Sequence, residues 1–209
     1  KRKYRFIFKG DPALQLWLPF EEGSGTVTRD LSGNGNNGTL NGGALFTPAK
    51  FGNGIYFDGT NDYVNCGNSS GLQITNKITI AAWIKRQSTS APYPVILEKE
   101  STNSGYIIHL INTDEIKFKI NDSDSYAAIT TNADIQQNVW TFIVCTFDGN
   151  ELKVYVNSVQ KATKNWTTTI GINNENLLIG VYRDFSSNTF FKGSIDEVAI
   201  FSRALSSQE

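Results

Sequence analysis

Apolar and polar residues alternate over short stretches along most of the chain, which is the pattern of half-buried β-strands. In one such stretch, Ile78, Ile80, Ala82 and Ile84 lie on one face, and Trp83 lies on the other. The same reasoning predicts strands at residues 13–20, 95–98, 106–111, 116–120, 126–130, 139–147, 152–156, 177–181 and 190–201. No stretch shows helical periodicity, although one helical turn capped by Ser202 is predicted at 202–208.

Gly, Asn, Asp and Ser separate the predicted strands at short intervals, as turns between antiparallel strands require. Asp148-Gly149-Asn150 predicts a tight hairpin, and residues 58–62 predict a second one. These signals favour an all-β, two-sheet antiparallel sandwich rather than a helical or mixed fold. We expect residues 11–209 to form this sandwich and residues 1–10 to form an N-terminal arm or linker.

Composition and charge exclude several classes of protein. The 209 residues are 39% hydrophobic, which suits one large globular domain. With 19 basic and 20 acidic residues, the chain lacks the basic field that nucleic-acid binding needs. No apolar run is long enough for membrane insertion. Because the chain contains no Met, we expect it to be a piece of a longer processed protein.

The N-terminal arm is the one basic cluster in the sequence, since Lys1, Arg2, Lys3 and Arg5 precede Phe6-Ile7-Phe8. Its apolar part is too short for a signal peptide. An aromatic arm of this kind could assemble with a neighbour by pairing with the edge of that neighbour's sheet.

Two cysteines, Cys66 and Cys145, lie in strand-like runs. We expect both to be small buried apolar side chains, although a disulfide in an oxidising compartment remains open. His109 is the single histidine, and we interpret it as a satisfied residue on a half-buried face rather than as a metal ligand or catalytic base.

The segment 32–43 differs from the rest because it consists almost wholly of Gly and Asn. A flexible linker is one interpretation. Because apolar strands flank it closely on both sides, a compact loop with inward carbonyl groups is favoured. Such a loop offers the oxygen atoms that a hard cation binds.

Seven motifs in order resemble one family along nearly the whole chain. They are Leu-Trp-Leu-Pro-Phe-Glu-Glu-Gly-Ser-Gly at 16–25, Asp-Leu-Ser-Gly-Asn-Gly-Asn-Asn-Gly at 30–38, Phe-Gly-Asn-Gly-Ile-Tyr-Phe-Asp-Gly at 51–59, Asp-Tyr-Val at 62–64, Ile-Thr-Ile-Ala-Ala-Trp-Ile at 78–84, Trp at 140 with Phe-Asp-Gly at 147–149, and Gly-Ser-Ile-Asp-Glu-Val-Ala-Ile-Phe-Ser-Arg-Ala-Leu-Ser at 193–206. The series resembles the laminin-G-like, pentraxin-like branch of the concanavalin A-like lectin/glucanase superfamily. The resemblance implies a jelly-roll sandwich with adjacent first and last strands.

The resemblance also implies one structural calcium ion, Ca²⁺, near the first and last strands. Carried over by position, its ligands would be Asp30, Asn34, Asn36, Asn37 and Asp196. Such carboxylate and amide oxygens suit calcium, and a cation would offset the cost of a carboxylate in an apolar strand. The alternative is that Asp30 and Asp196 accept backbone hydrogen bonds. Glu21 and Glu22 are further possible ligands.

Catalysis is not expected. Retaining glycosidases need two carboxyl groups roughly 5–5.5 Å apart, and Asp196 and Glu197 are adjacent, so they point to opposite faces. Glu98 and Glu100 share one face, but we interpret them as a solvated strand end.

Carbohydrate recognition would use an aromatic ring that stacks on the sugar, with polar groups around it. The candidates are Tyr93, Tyr126, Trp166, which we expect to be exposed between two strands, and the loop residues Tyr182, Arg183 and Phe185. The alternative is that they are ordinary loop aromatics.

The function expected from the sequence is a non-catalytic, calcium-stabilised extracellular binding or adhesion module of a larger secreted or surface protein, with a glycan or surface protein as partner. A structural domain decorating a cell envelope, filament or virion is the main alternative, and a polysaccharide hydrolase or lyase is the weaker one.

Overall fold

A computed structural model describes residues 10–112, 114–130 and 134–209. Two antiparallel sheets of eight strands each pack face to face. The first sheet contains β1 (Leu14–Leu18), β4 (Leu45–Pro48), β5 (Asn53–Asp58), β7 (Ile78–Arg86), β12 (Thr141–Phe147), β13 (Glu151–Val156), β14 (Val159–Asn165) and β16 (Lys192–Phe201). The second contains β2 (Val27–Thr28), β3 (Gly38–Asn41), β6 (Tyr63–Asn65), β8 (Val95–Ser101), β9 (Ser104–Ile111), β10 (Glu115–Ile120), β11 (Ala128–Ile129) and β15 (Leu178–Ile179). The all-β jelly-roll prediction is confirmed.

The first and last strands are neighbours, as the resemblance implied. The long strand β16 pairs with β5 over its first half and with β1 over its second half, where Trp17 lies opposite Ala199. On its other side β16 pairs with β7. The second sheet runs in the order β11-β10-β9-β8-β15-β6-β3-β2. Two three-residue 3₁₀ turns, Ser70–Leu72 and Asp124–Tyr126, complete the regular structure of the described residues.

The strand periodicity places the core between the sheets. In β1, Leu14, Leu16 and Leu18 are buried, while Gln15 and Trp17 face outward, as alternation requires. Facing positions of β9 and β10 contribute Ile108 and Phe118 to the same core. Each fully buried aliphatic or aromatic side chain stabilises the fold by about 1.5–3 kcal/mol before the entropy of ordering is subtracted.

Two local predictions were wrong. Residues 202–208 form no helical turn, because neighbouring strands already bond their backbone groups. Ser202 N donates to Ala13 O at 2.8 Å, and Leu205 N donates to Thr79 Oγ1 at 2.9 Å. Residues 58–62 are not a hairpin, since β5 lies in the first sheet and β6 in the second. The Asp148-Gly149-Asn150 turn does join the paired strands β12 and β13.

The predicted assembly arm, residues 1–9, lies outside the described residues. Within the described ranges, no helix has the length and apolar character required to cross a bilayer.

Both cysteines are free and buried, so the apolar interpretation is confirmed and the described structure contains no disulfide between them. Cys145 lies on β12 in the first sheet, and Cys66 directly follows β6 in the second. Burial raises the pKa of both thiols, which suppresses the reactive thiolate form.

We expect neither thiol of the native protein to react with a chromogenic disulfide reagent at neutral pH, and both to react in denaturant. Burial and the raised pKa act in the same direction. Spectrophotometric thiol counting checks this. Rapid modification of either cysteine in the native protein would contradict the placement.

Candidate functional site

The carboxylate of Asp30 is saturated by hydrogen bonds from the protein. Its Oδ1 accepts from the backbone N–H groups of Trp17 and Ser32, each at 2.9 Å. Its Oδ2 accepts from Asn36 N at 2.9 Å and from the hydroxyl of Ser32 at 2.8 Å. These four donors, two on each oxygen, stabilise the carboxylate charge.

The asparagines of the same loop cover the outer edge of β1. Asn34 Nδ2 donates to Leu14 O at 2.8 Å, and Asn36 Nδ2 donates to Gln15 O at 2.8 Å. Asn37 Oδ1 accepts from Asp30 N at 2.9 Å. The loop therefore satisfies the free carbonyl groups of an edge strand, which would otherwise be open to pairing with another chain. The compact-loop interpretation holds for residues 32–37, whose amide groups bond to β1, but it was wrong for Gly38–Asn41, which form strand β3.

Asp30 and Asp196 share no hydrogen-bond partner among the described residues, and the expected five-residue calcium set stays a prediction. Asp196 lies on β16 and is fully buried. Its Oδ2 accepts from Phe51 N at 2.9 Å, whereas no described residue donates a hydrogen bond to Oδ1. Burial, and to a smaller extent the charges of Glu197 and Glu21, raise the pKa of Asp196 to about 7.

Glycines bring the chain close to this carboxylate. A Cβ on Gly54 would lie 3.3 Å from Cβ of Asp196, and one on Gly52 would lie 2.6 Å from Oε1 of Glu21. The segment 51–54 therefore fits between Glu21 and Asp196 only because it lacks side chains there. In the described part of the chain, no cluster of three or more His, Cys, Asp or Glu side chains could hold a metal. A cation at Asp196 would need Glu21 and backbone carbonyls as additional ligands.

Trp166 directly follows β14 and is half-buried, not exposed as the sequence suggested. Its ring packs against the core and stacks on Tyr126, with centroids 4.6 Å apart and planes 12° from parallel. Tyr126 is 41% exposed. Asp124 from the same 3₁₀ turn accepts from Lys117 Nζ at 2.5 Å, and Lys164 Nζ lies 5.9 Å from the Tyr126 centroid. We call the Tyr126–Trp166 pair the aromatic platform.

Tyr182, Arg183 and Phe185 form a separate region. No hydrogen bond or ring contact connects them to Trp166 within the described ranges. Arg183 Nη1 donates to Glu100 O at 2.9 Å, and the guanidinium lies 4.5 Å from the Tyr182 ring centroid. Phe185 packs edge-on against Tyr63 at 5.0 Å. Arg183 therefore fastens its loop to the outer face of the second sheet.

Glu98 and Glu100 are fully buried beneath this loop, so their interpretation as a solvated strand end was wrong. Burial raises the pKa of Glu98 to about 8 and that of Glu100 to about 7. Lys119 Nζ lies 3.5 Å from Glu100 Oε2, and Arg183 Nη1 lies 3.9 Å from it. The alternation of side chains along a strand predicted that Glu98 and Glu100 share one face. No local signal in the sequence shows that a loop eighty residues away covers that face.

His109 is also buried on this outer face, where its Nε2 has no hydrogen-bond partner among the described residues. Burial, followed by the nearby charges of Lys117 and Lys119, lowers the pKa of His109 to about 3. The ring is therefore neutral at physiological pH. The interpretation of His109 as satisfied was wrong for Nε2, although its placement on the sheet face was right.

A laminin G family model described as the concanavalin A-like lectin/glucanases superfamily matches residues 58–209. This range is well over half of the chain, and the chain belongs to that superfamily. The two-sheet topology with adjacent terminal strands agrees with this assignment. No curated protein sequence matches the chain.

Solved structures share the fold at low sequence identity. The binding domain of Paraclostridial Mosquitocidal Protein 1 is 18% identical with a TM-score of 0.76, over 94% of this chain and 50% of that one. Domain 4 of AbnA, a GH43 extracellular arabinanase from Geobacillus stearothermophilus solved with arabinotriose, is 20% identical with a TM-score of 0.71, over 93% and 95%. The binding domain of Botulinum Neurotoxin DC, solved with SialylT, is 16% identical with a TM-score of 0.70, over 94% and 50%. The chain spans about half the length of the toxin binding domains.

The buried carboxylates predict a measurable pH dependence of stability. Between pH 4.5, the ordinary glutamate pKa, and about 8, the unfolded chain releases a proton that folded Glu98 retains. The free energy of unfolding therefore falls as pH rises through this window. Glu98→Gln should leave stability nearly unchanged at about pH 5 and raise it at about pH 8, because glutamine carries no charge to bury.

Urea unfolding at both pH values measures this difference. Glu115→Gln, at the far end of β10, is the matched control and should show no such dependence. Equal destabilisation by Glu98→Gln at both pH values would mean that Glu98 is charged in the folded protein.

Proposed function

We propose that this chain is a non-catalytic carbohydrate-binding module of an extracellular protein. The observation that supports this best is the aromatic platform, a solvent-facing ring stacked in parallel on a second ring that the core holds in place. An exposed aromatic face packs against the C–H groups of a sugar ring, and polar groups beside it bond the hydroxyl groups. Asp124, from the same turn as Tyr126, and Lys164 are the polar groups beside the platform for such hydrogen bonds.

The two rings of the aromatic platform are held in fixed positions, which favours the binding of weak ligands. Trp166 N donates to Asn150 O at 2.8 Å, which fixes the backbone of Trp166 beside β13. The Tyr126 backbone lies in a 3₁₀ turn whose Asp124 is bonded to Lys117. A ligand therefore meets rings that are already ordered, and less binding energy is lost in immobilising them.

The names of the structural neighbours agree with a binding role. Two are binding domains of toxins, and the third is one domain of an extracellular arabinanase in complex with arabinotriose. These names support an extracellular setting and a glycan partner for this chain. Arabinotriose is the first ligand to try.

The carboxylate arrangement supports a role without catalysis. Glu98 and Glu100 share one face, but both are fully buried, and Glu100 faces Lys119 and Arg183. A hydrolytic pair must touch the glycosidic oxygen and the anomeric carbon. Substrate cannot reach these side chains while the Arg183 loop covers them.

We further propose that calcium stabilises the module at Asp196 rather than at the Asp30 loop. Asp196 Oδ1 is a buried carboxylate oxygen without a donor, and Glu21 is near enough to influence the charge of Asp196. Calcium accepts such carboxylates together with backbone carbonyls, and it would offset the cost of burying them. Its contribution would be structural, because it would connect the chain after β1 to β16.

Tyr126→Ala should weaken binding of the best glycan found in an array, with arabinotriose included, by about tenfold, because one aromatic contact contributes about 0.5–1.5 kcal/mol. Isothermal titration calorimetry measures the affinity. Tyr93→Ala removes an aromatic residue of similar exposure elsewhere and serves as the control. Equal affinity of Tyr126→Ala and the wild type would eliminate the platform.

Calcium at 100 times its Kd should raise the melting temperature of the wild type by several degrees over chelator, because binding at that ratio contributes about 2.7 kcal/mol. Asp196→Asn should abolish the response, whereas Asp30→Asn should destabilise the protein and keep it. Differential scanning fluorimetry distinguishes the two sites. If calcium and chelator give the same wild-type curve, the chain has no stabilising calcium site.

A further inference from the structure

A second concave surface lies at the edge of the sandwich, where β1 of the first sheet meets the segment that contains β2 of the second. This edge groove is open to solvent and has a volume of about 860 Å³, within the size range of sites for small ligands. Trp17, Glu21, Glu22, Val27, Arg29 and Leu31 line it. None of these residues belongs to the aromatic platform.

Hydrogen bonds donated by backbone N–H groups connect the two walls of the groove. Leu31 N donates to Trp17 O at 2.8 Å, and Trp17 N donates to Asp30 Oδ1 at 2.9 Å. Arg29 N donates to Glu22 Oε1 at 2.8 Å. The concavity is therefore preformed, so a ligand would not have to order a loop in order to bind.

Trp17 forms an aromatic surface in this groove with a fixed orientation. It faces outward from β1, because Leu16 and Leu18 occupy the core side. Its indole Nε1–H donates to Glu197 Oε2 at 2.8 Å. Glu197 occupies the irregularity of β16 between Asp196 and Ala199, with a φ of 50°. The last strand of the fold thus holds the ring in place.

Polar and apolar groups both line the groove. Glu22 Oε2 has no hydrogen-bond partner among the described residues, so this carboxylate lacks a donor on one oxygen. Arg29 is exposed and supplies donors. Val27 and Leu31, each 47% exposed, form an apolar rim. An aromatic face with a guanidinium donor and a small apolar rim matches the alternating C–H and hydroxyl surfaces of a sugar.

We infer that the edge groove is a second binding site, and that its ligand is a neutral oligosaccharide of a few sugar units. This inference rests on the proposed function only for the class of ligand, because the edge groove and the aromatic platform share no residues. Glu21 and Glu22 disfavour a polyanionic ligand, because their charges would repel sulfate or phosphate groups.

The indole N–H signals of the four tryptophans distinguish the two sites in one NMR titration of the isotope-labelled protein. Trp17→Phe and Trp166→Phe assign the two signals. Arabinotriose, cellotriose and chitotriose are the neutral probes, and a heparin oligosaccharide is the polyanionic comparison. At least one neutral probe should move the Trp17 signal at about 10 mM, well above a Kd of about 1 mM.

Leu31→Ala and Arg29→Ala should each weaken the Trp17 response by roughly three- to tenfold, which corresponds to one lost contact. Ile172→Ala, an exposed aliphatic position at 63% exposure, is the matched control. Tyr126→Ala should change the Trp166 response and leave that of Trp17 intact.

The inference is overturned if no neutral probe moves the Trp17 signal, or if heparin moves it more than the neutral probes do. Unchanged affinity in both groove variants would also overturn it. A shift at Trp17 without one at Trp166 would refute the platform and keep the groove.

Discussion

The pairing of the last strand with the first is the interaction on which the rest of this structure depends. β16 lies between β7 on one side and both β1 and β5 on the other. This arrangement brings residues nearly two hundred positions apart into register, with Leu18 opposite Val198. It places Glu197 beside the Trp17 indole and Asp196 beside Phe51. Without this pairing, neither the buried carboxylate nor the groove would exist.

The open edge of β1 explains the unusual composition of the loop that follows. Among the described strands β1 pairs with β16 alone, so the carbonyl groups on its other side need partners. The side chains of Asn34 and Asn36 supply those donors, and Asp30 holds the loop by four hydrogen bonds. The same residue types would suit a calcium ion, so their chemistry alone does not distinguish the two roles. The positions of the hydrogen-bond donors distinguish the two roles.

The outer face of the second sheet shows how burial changes the meaning of charged residues. Glu98 and Glu100 alternate correctly for a solvated face, yet the Arg183 loop covers them. Lys119 and Arg183 partly offset the cost of burying Glu100. Within the described part of the chain, one oxygen of each glutamate has no hydrogen-bond donor. Burying such groups costs stability unless they are paired or kept neutral.

The sequence by itself determined the class of fold, most of the strands and the burial of both cysteines, because alternation and turn residues act over a few neighbouring positions. It also identified Asp196 and Trp166 as notable residues. Only the tertiary structure decided that Asp30 bonds to the backbone, that Tyr126 stacks on Trp166, and that Glu98 is covered. Each of these outcomes depends on contacts between residues distant in sequence, and no local pattern encodes which distant group arrives. For the same physical reason, the tail that could have formed a helical turn instead bonds to β1 and β7.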